Sequence, residues 1–326
     1  WGDGMNMKGF FLIIYRWSGL FRLKILPIRF FLSLATLFWM SCGEVISGNA
    51  NDNGGIDPPP SGEVDEIEIV TWNIEHFPKS DLTVEKTITI MDTLDADIYC
   101  IQEITDVTNF ENVADALDGY NAIISTEAWS LGVIYRSTML TASNIEEFFL
   151  DHSGFATRPP LKVDFSYQID EAQYFFSVIN LHMKCCGDGE IEHENENDEE
   201  FRRYGASITL KNYIDASMDN DNVIIVGDWN DLIVEEVESN NVFMNFIEDE
   251  DNFMFVDMSI ANGSTANWSY PSWPSHIDHI LITNELFDEF QYSLISTIRA
   301  DDFIDNYFTD VSDHRPVMWK FQPNFE

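Results

Sequence analysis

The sequence predicts an α/β protein in which two β-sheets pack face to face with helices on the outside. Three observations lead there. Short segments with the period-two alternation of half-buried strands outnumber those with helical spacing. Long helices are few, which argues against a single doubly wound sheet. The 326 residues, 45% hydrophobic and 14% aromatic, are ample for a sizeable core.

The first 41 residues stand outside that fold. Lys8, Arg16, Arg22, Lys24 and Arg29 precede an apolar run, residues 30–40, which Ser41-Cys42-Gly43 follows. A charged region, an apolar region and a small residue before cysteine read as a secretory signal. The apolar run falls short of the ~20 residues that a spanning helix needs. Ser41-Cys42 resembles the end of a bacterial lipoprotein signal, which makes Cys42 the expected lipid carrier, although Trp39 and Met40 depart from the usual pattern. An ordinary signal cut nearby and an uncleaved anchor are the alternatives. Because the sequence opens on Trp1, the start is expected at Met5, Met7 or a later codon. Residues 42–64 are mostly Gly, Asn, Asp and Pro, cannot bury a face, and are expected to form a flexible tether. The expected destination is export, as an outer-membrane or cell-surface lipoprotein or a secreted protein.

A folded domain is expected over 65–326. Residues 66–72 alternate as a half-buried strand does. Val84, Ile88, Met91 and Leu94 recur at helical spacing, and 97–102 is an apolar strand. Further strands are expected at 120–124, 131–136, 145–149, 161–167, 174–181, 222–226, 277–282, 292–299 and 316–321. A helix around 200–217 would carry Phe201, Tyr204, Ile208 and Ile214 on one side.

Seventeen Lys and Arg face 57 Asp and Glu, a formal charge of -40. Beyond residue 41 the balance is 12 basic against 56 acidic residues, or -44. Such a field repels polyanions, which excludes a non-specific nucleic-acid coat protein or a basic membrane-surface binder. An enzyme that meets phosphate through a bound cation is not excluded. With 25 Phe, 9 Trp and 11 Tyr, the composition argues against intrinsic disorder. Four cysteines with no CxxC and no zinc spacing exclude a disulfide scaffold or zinc module.

Polar motifs gather at the ends of the apolar strands. Trp72-Asn73-Ile74-Glu75 closes the first, Gln102-Glu103 the next, and Asn180-Leu181-His182 another. Gly227-Asp228-Trp229-Asn230-Asp231 follows an apolar run, Ile277-Asp278-His279 opens a strand, and Ser312-Asp313-His314-Arg315-Pro316 precedes the last. Groups held at strand ends can share one rigid cleft.

This ordered set resembles the endonuclease/exonuclease/phosphatase superfamily, over about residues 66–321. The resemblance implies a four-layered α/β sandwich of the deoxyribonuclease kind and a divalent-cation-dependent hydrolysis of phosphate esters. A phosphodiester is anionic and repels hydroxide, and a hard oxygen-ligated cation neutralises that charge. By resemblance Glu103 is the metal carboxylate, Asp313 a second acid near the metal, and Asn73 a contact to metal or phosphate. His314 matches the histidine at the attacking water or scissile phosphate, with Asp278 orienting its ring. His182 matches a second phosphate-side histidine, and Asp228 and Asn230 a pair that positions water and phosphate. Which of Asp228 and His314 takes the proton stays open. Arg158 resembles an arginine whose fork holds phosphate, with a turn arginine braced by Pro159-Pro160 as the equal alternative. Deoxyribonuclease-like members pair the first histidine with a glutamate, for which residues 125–136 offer only Glu127. The expected cofactor is Mg²⁺, with Mn²⁺ or Ca²⁺ as alternatives.

Other features read as ordinary. His76, His152, His193, His276 and His279 are taken as core or surface histidines, and Cys100 as an inert core thiol. Cys185-Cys186 could form a vicinal disulfide or brace the loop by other pairings. The acidic run 190–200 could hold Ca²⁺ but lacks EF-hand spacing, and a solvated loop is the preferred reading. Trp268, Tyr270 and Trp273 could stack on a base, enter a lipid interface, or pack together. The functional expectation is an exported, monomeric, metal-dependent phosphodiester hydrolase, first a nuclease acting on DNA or RNA. Because the strong negative charge suits a polyanion poorly, a sphingomyelinase-like phospholipid phosphodiesterase is the alternative. A polyphosphoinositide phosphatase is disfavoured by the lack of clustered basic residues. A catalytically dead binding module on the same scaffold is the reading from another class.

Overall fold

The computed structural model describes residues 66–127, 130–169, 171–235 and 240–325. The expected signal, 1–41, and tether, 42–64, lie outside the described residues. Along the chain run β1 (Ile67–Phe77), α1 (Thr83–Leu94), β2 (Ile98–Ile104), α2 (Val107–Ala116), β3 (Tyr120–Ile124), β4 (Leu131–Arg136) and β5 (Leu140–Glu147). Then follow β6 (Leu161–Ile169), β7 (Ala172–His182), α3 (Glu199–Ser217), β8 (Val223–Asp228), β9 (Phe253–Phe255), β10 (Asp278–Thr283), β11 (Leu294–Thr297) and β12 (Val317–Phe321). Among the described residues no helix is long and apolar enough to cross a membrane.

The strands form two mixed six-stranded sheets, ordered β11-β12-β1-β2-β4-β3 and β5-β6-β7-β8-β10-β9. Period-two patterning assigns the faces. On β1, Ile67 and Ile69 enter the core between the sheets, while Val70 and Trp72, out of phase, pack toward α1 and α2. The second sheet repeats this: Ile224 and Val226 face the first sheet, and Ile225 packs with Leu210 and Ile214 of α3. Helix, sheet, sheet, helix is the four-layered sandwich expected from the sequence.

Two elements differ from expectation. The strand expected at 145–149 is β5, which begins at Leu140 and stops at Glu147. Phe148 and Phe149, the apolar pair that suggested a later strand, leave the sheet and pack on Tyr213, with ring centroids 4.8 and 5.6 Å away. The buried stripe of α3 is Arg203, Ala206, Ser207, Leu210 and Ile214, rotated from the expected face of Phe201, Tyr204 and Ile208. Two polar residues are inside because their hydrogen bonds are met: Ser207 donates to Asn245 Oδ1 at 2.6 Å, and Arg203 is tied to Asp231 and to loop carbonyls. Helix α2 and the short β9 were not anticipated. Asp106, whose side chain caps α2 by accepting from Asn109 N at 3.0 Å, was the available signal for the helix.

Candidate active site

The inward-facing rows of both sheets are apolar along most of their length and turn polar at one end. On β1 the row Ile67, Ile69 continues through Thr71 to Asn73, and on β2 Ile98 and Cys100 lead to Gln102. On β7 Phe176 and Val178 lead to Asn180 and His182, and on β8 Ile224 and Val226 lead to Asp228. The antiparallel β10 starts with Asp278 before Ile280 and Ile282. Strand periodicity thus places these polar groups on the face that elsewhere builds the core. Register completes the placement. His182 lies opposite Asp228, Asp228 opposite Asp278, and Asn73 opposite Gln102. Gly227 permits it: at φ 152°, a Cβ there would stand 2.0 Å from the carbonyl oxygen of Leu181.

Beneath the site the sheets are stitched by amides. Gln102 Nε2 donates to Asn180 Oδ1 at 2.7 Å, and Asn180 Nδ2 donates to the carbonyls of Ile101 and Gly132, both at 3.0 Å. Above them Asn73 Nδ2 donates to Glu103 Oε1 at 3.1 Å and to Asp228 Oδ2 at 2.9 Å. Its oxygen accepts from Glu75 N, so Asn73 turns a donor, not a ligand oxygen, toward the carboxylates. Glu75, His76, Glu103 and Asn230 all have left-handed φ, between 38° and 64°. Such conformations are uncommon outside glycine, most so for the two glutamates, and concentrate at functional sites.

His314 Nδ1 lies 2.8 Å from Asp278 Oδ2, both side chains buried, and Tyr270 covers the imidazole with centroids 4.8 Å apart. Ser312 Oγ holds the loop by donating to Asn73 O at 2.6 Å and accepting from His314 N at 3.0 Å. Burial disfavours a charged His314, but Asp278 and Asp228 outweigh it and push its pKa up to about 10. Asp228 is fully buried, which raises its carboxyl to about 7, with His314 opposing and Asp278 adding. Burial and the nearby Arg158 guanidinium hold His182 well below its ordinary value. Its Nε2 is 3.4 Å from Asp228 Oδ2 and 4.0 Å from Glu103 Oε1.

Most of the expected residues therefore meet in one cleft of about 560 Å³, lined among others by Glu103, His182, Asp228, Asn230, Asp313 and His314. Asn230 N donates to Asp228 Oδ1 at 3.0 Å. Asp313 sits beside Glu75, which accepts from its backbone N at 2.9 Å. Burial raises the Asp313 carboxyl, with His314 opposing and Glu75 adding. Arg158 does not line the cleft. It lies behind His182, donating to the carbonyls of His182 at 3.3 Å and Met183 at 2.7 Å, so two arms of its fork are engaged by backbone. Glu127 does not pair with His182: its exposed loop is tied to Glu147, and His182 Nδ1 has no hydrogen-bond partner among the described residues.

Sequence reasoning missed several residues at the cleft. His76 donates its backbone N to Glu103 Oε2 at 3.0 Å, with Nδ1 at 3.4 Å, so it is not an idle surface histidine. Arg203 joins Asp231 at 2.8 Å to the carbonyls of Lys184 and Cys186, both at 2.7 Å, which ties the loop after His182 to the loop after Asp228. No sequence signal marked Arg203, because its burial follows from tertiary contacts. Others behave as expected. His276 and His279 are core residues around the buried Asp257, and burial pushes the Cys100 thiol up. Cys185 and Cys186 depart from expectation, forming neither a vicinal disulfide nor another pairing among the described residues: both are free thiols, with Sγ atoms 2.9 Å apart. Trp268 packs inward, donating to Ile260 O at 3.1 Å, whereas Trp273 stands 78% exposed at the cleft rim.

Comparison with known proteins accords with this geometry. The model of the Endonuclease/Exonuclease/phosphatase family matches residues 70–314. No curated protein matches in sequence. Among solved structures, Danio rerio TDP2 in complex with a single-strand DNA product superposes with a TM-score of 0.59 at 14% identity, covering 79% of this chain and 99% of that one. An endonuclease/exonuclease/phosphatase family protein from Bacteroides thetaiotaomicron gives 0.54 at 15% identity, covering 80% and 99%. The human Nocturnin catalytic domain with bound sulfate gives 0.53 at 16%, covering 79% and 95%. The chain belongs to the endonuclease/exonuclease/phosphatase family.

Proposed function

We propose that this cleft hydrolyses phosphodiesters with the help of a divalent cation, and that a nucleic-acid strand is its first substrate class. The observation that carries the reading is the His314–Asp278 contact of 2.8 Å set beside the buried Asp228 and the Glu103–Asn73 pair in one cleft. Among the described residues seven Asp and Glu line that cleft, against Arg203 as its one Lys or Arg, itself paired with Asp231 and Glu200. An anionic phosphodiester would be repelled there unless a cation intervenes. The donor set fits a hard dication. Glu103, partly exposed at the cleft wall, and Asp313 would hold it, and Mg²⁺ is the favoured ion. When bound, such an ion neutralises phosphate charge and stabilises the charge that develops on the leaving oxygen.

The protein's own groups divide the remaining work by their protonation. Asp228, held near neutrality, accepts a proton from the attacking water, while Asn230 fixes its other oxygen. His314, a cation at neutral pH, offers an N–H to a phosphate oxygen, and Asp278 fixes its ring. His182, neutral, adds a second phosphate-side contact. Danio rerio TDP2, which shares this fold, was solved in complex with a single-strand DNA product, and that supports a nucleic-acid strand as the substrate class. The exposed Trp273 at the rim favours one further reading, a phospholipid substrate whose bilayer receives the indole.

The test is hydrolysis of DNA, RNA, sphingomyelin and a generic phosphodiester by the purified protein with Mg²⁺, with and without chelator. The expected result is cleavage of DNA or RNA that chelator abolishes and that Glu103→Gln makes far more demanding of metal, since a neutral amide is a poor ligand for a hard dication. Cleavage of sphingomyelin alone would select the phospholipid reading. No hydrolysis of any substrate would overturn both.

A further inference from the structure

The loop between β7 and α3 carries eight Asp and Glu between residues 188 and 200. It passes along the cleft, to which Cys185, Cys186 and Gly189 contribute. Within it one oxygen each of Asp188, Asp198 and Glu200 lie within 4.8 Å of one another. Crowded carboxylates are common on a protein this acidic, and alone they mean little. A second observation singles these out. The Glu200 side chain is only 2% exposed, and its Oε2 is buried with no hydrogen-bond partner among the described residues. Its other oxygen accepts from Gly189 N at 2.8 Å and lies 3.2 Å from Arg203 Nη2. A buried, unpartnered carboxylate oxygen is costly unless something positive meets it.

We propose that Asp188, Asp198 and Glu200 bind a calcium ion that ties the loop after His182 to the start of α3 and fixes one wall of the cleft. The remaining ligand capacity is present. Asp198 uses Oδ1 to accept from Phe201 N at 2.7 Å and Glu192 N at 3.2 Å, and Asp188 uses Oδ1 to accept from Glu190 N at 3.1 Å. Each keeps a second oxygen. Ligand chemistry selects the ion: the donors are hard carboxylate oxygens on an irregular loop, a set that calcium accepts in flexible geometry, whereas magnesium demands a near-ideal octahedron. Three carboxylates against the one guanidinium of Arg203 leave the cluster net negative. Gly187 lets the loop close over the group, since a Cβ there would fall 2.0 Å from Glu200 Oε1.

This site does not depend on the phosphodiesterase reading, and the experiment separates the two. Calcium is titrated calorimetrically into the full chain carrying Glu103→Gln, which removes one of the two carboxylates assigned to the catalytic cation. One calcium ion should bind, with Kd on the order of 10⁻⁵–10⁻³ M. Adding Asp188→Asn should weaken it by roughly tenfold or more, as should Glu200→Gln. Asp188 is exposed and serves one backbone N–H, so its variant tests the ligand without threatening the fold. Calcium should also slow proteolysis within the loop, and not in the Asp188→Asn protein. Absence of saturable calcium binding in the Glu103→Gln protein, or unchanged affinity after Asp188→Asn, would overturn the proposal.

Discussion

Asp228 and His314 stand 3.9 Å apart at their closest polar atoms and are pushed toward opposite protonation states from the usual pair, an acid near neutrality beside a base that stays charged. His314 is raised from 6.5 to about 10, so the stabilisation it draws from Asp278 is complete below about pH 6.5 and is lost as pH climbs through 10. Unfolding free energy measured by urea at pH 6, 8 and 10 should fall across that window, and should fall much less in Asp278→Asn. A decline of equal size in both proteins would mean that Asp278 is not the group that raises His314. The residue types at the site were legible because each sits in a short motif at a strand end. Their partners were less so. Nothing in the sequence shows that Asn73 turns its nitrogen to two carboxylates, that Arg158 faces backbone, or that Arg203 is buried. These depend on side-chain rotation and on contacts between residues as far apart as 73 and 228.

At the scale of elements, the site is a continuation of the core. The row Ile224, Val226, Asp228 and the row Val178, Asn180, His182 are the same strand faces that pack the sheets together, so alternation that reads as core also positions chemistry. This is why strands and site were read together, and why the fold class came through although β5 and the face of α3 did not. Aromatic contacts pulled Phe148 out of a strand, and satisfied hydrogen bonds brought Arg203 and Ser207 inside, overriding patterning in each case. The parallel pairing of β7 with β8 is the contact most exposed to a single change. Gly227→Ala should place a methyl against Leu181 O and part the strands, at a cost above ~1 kcal/mol in unfolding free energy. Activity should drop further than that loss explains, because His182 and Asp228 move with their strands. Full activity with an unchanged Tm would refute this role for the pairing.

On the scale of the whole molecule, the charge of -40 and the acidic cleft point the same way. Long-range steering disfavours a polyanion, so any phosphodiester must be met at short range by a bound cation and by His314 and His182. We further propose that the chain is exported and held at a membrane through Cys42, with 42–64 as its tether. Cys42→Ser should then move the protein from the membrane fraction to the soluble one, and unchanged fractionation would contradict lipidation. The central claim, that Asp278 and His314 work as one unit on a phosphodiester, has a direct measurement: kcat/KM for the parent, Asp278→Asn, His314→Ala and the double variant on the best cleaved substrate. His314→Ala should cost on the order of 10²–10⁴ in rate, and the double variant should be little worse than the worse single, as groups acting as a unit behave. Losses that multiply as independent effects would contradict it.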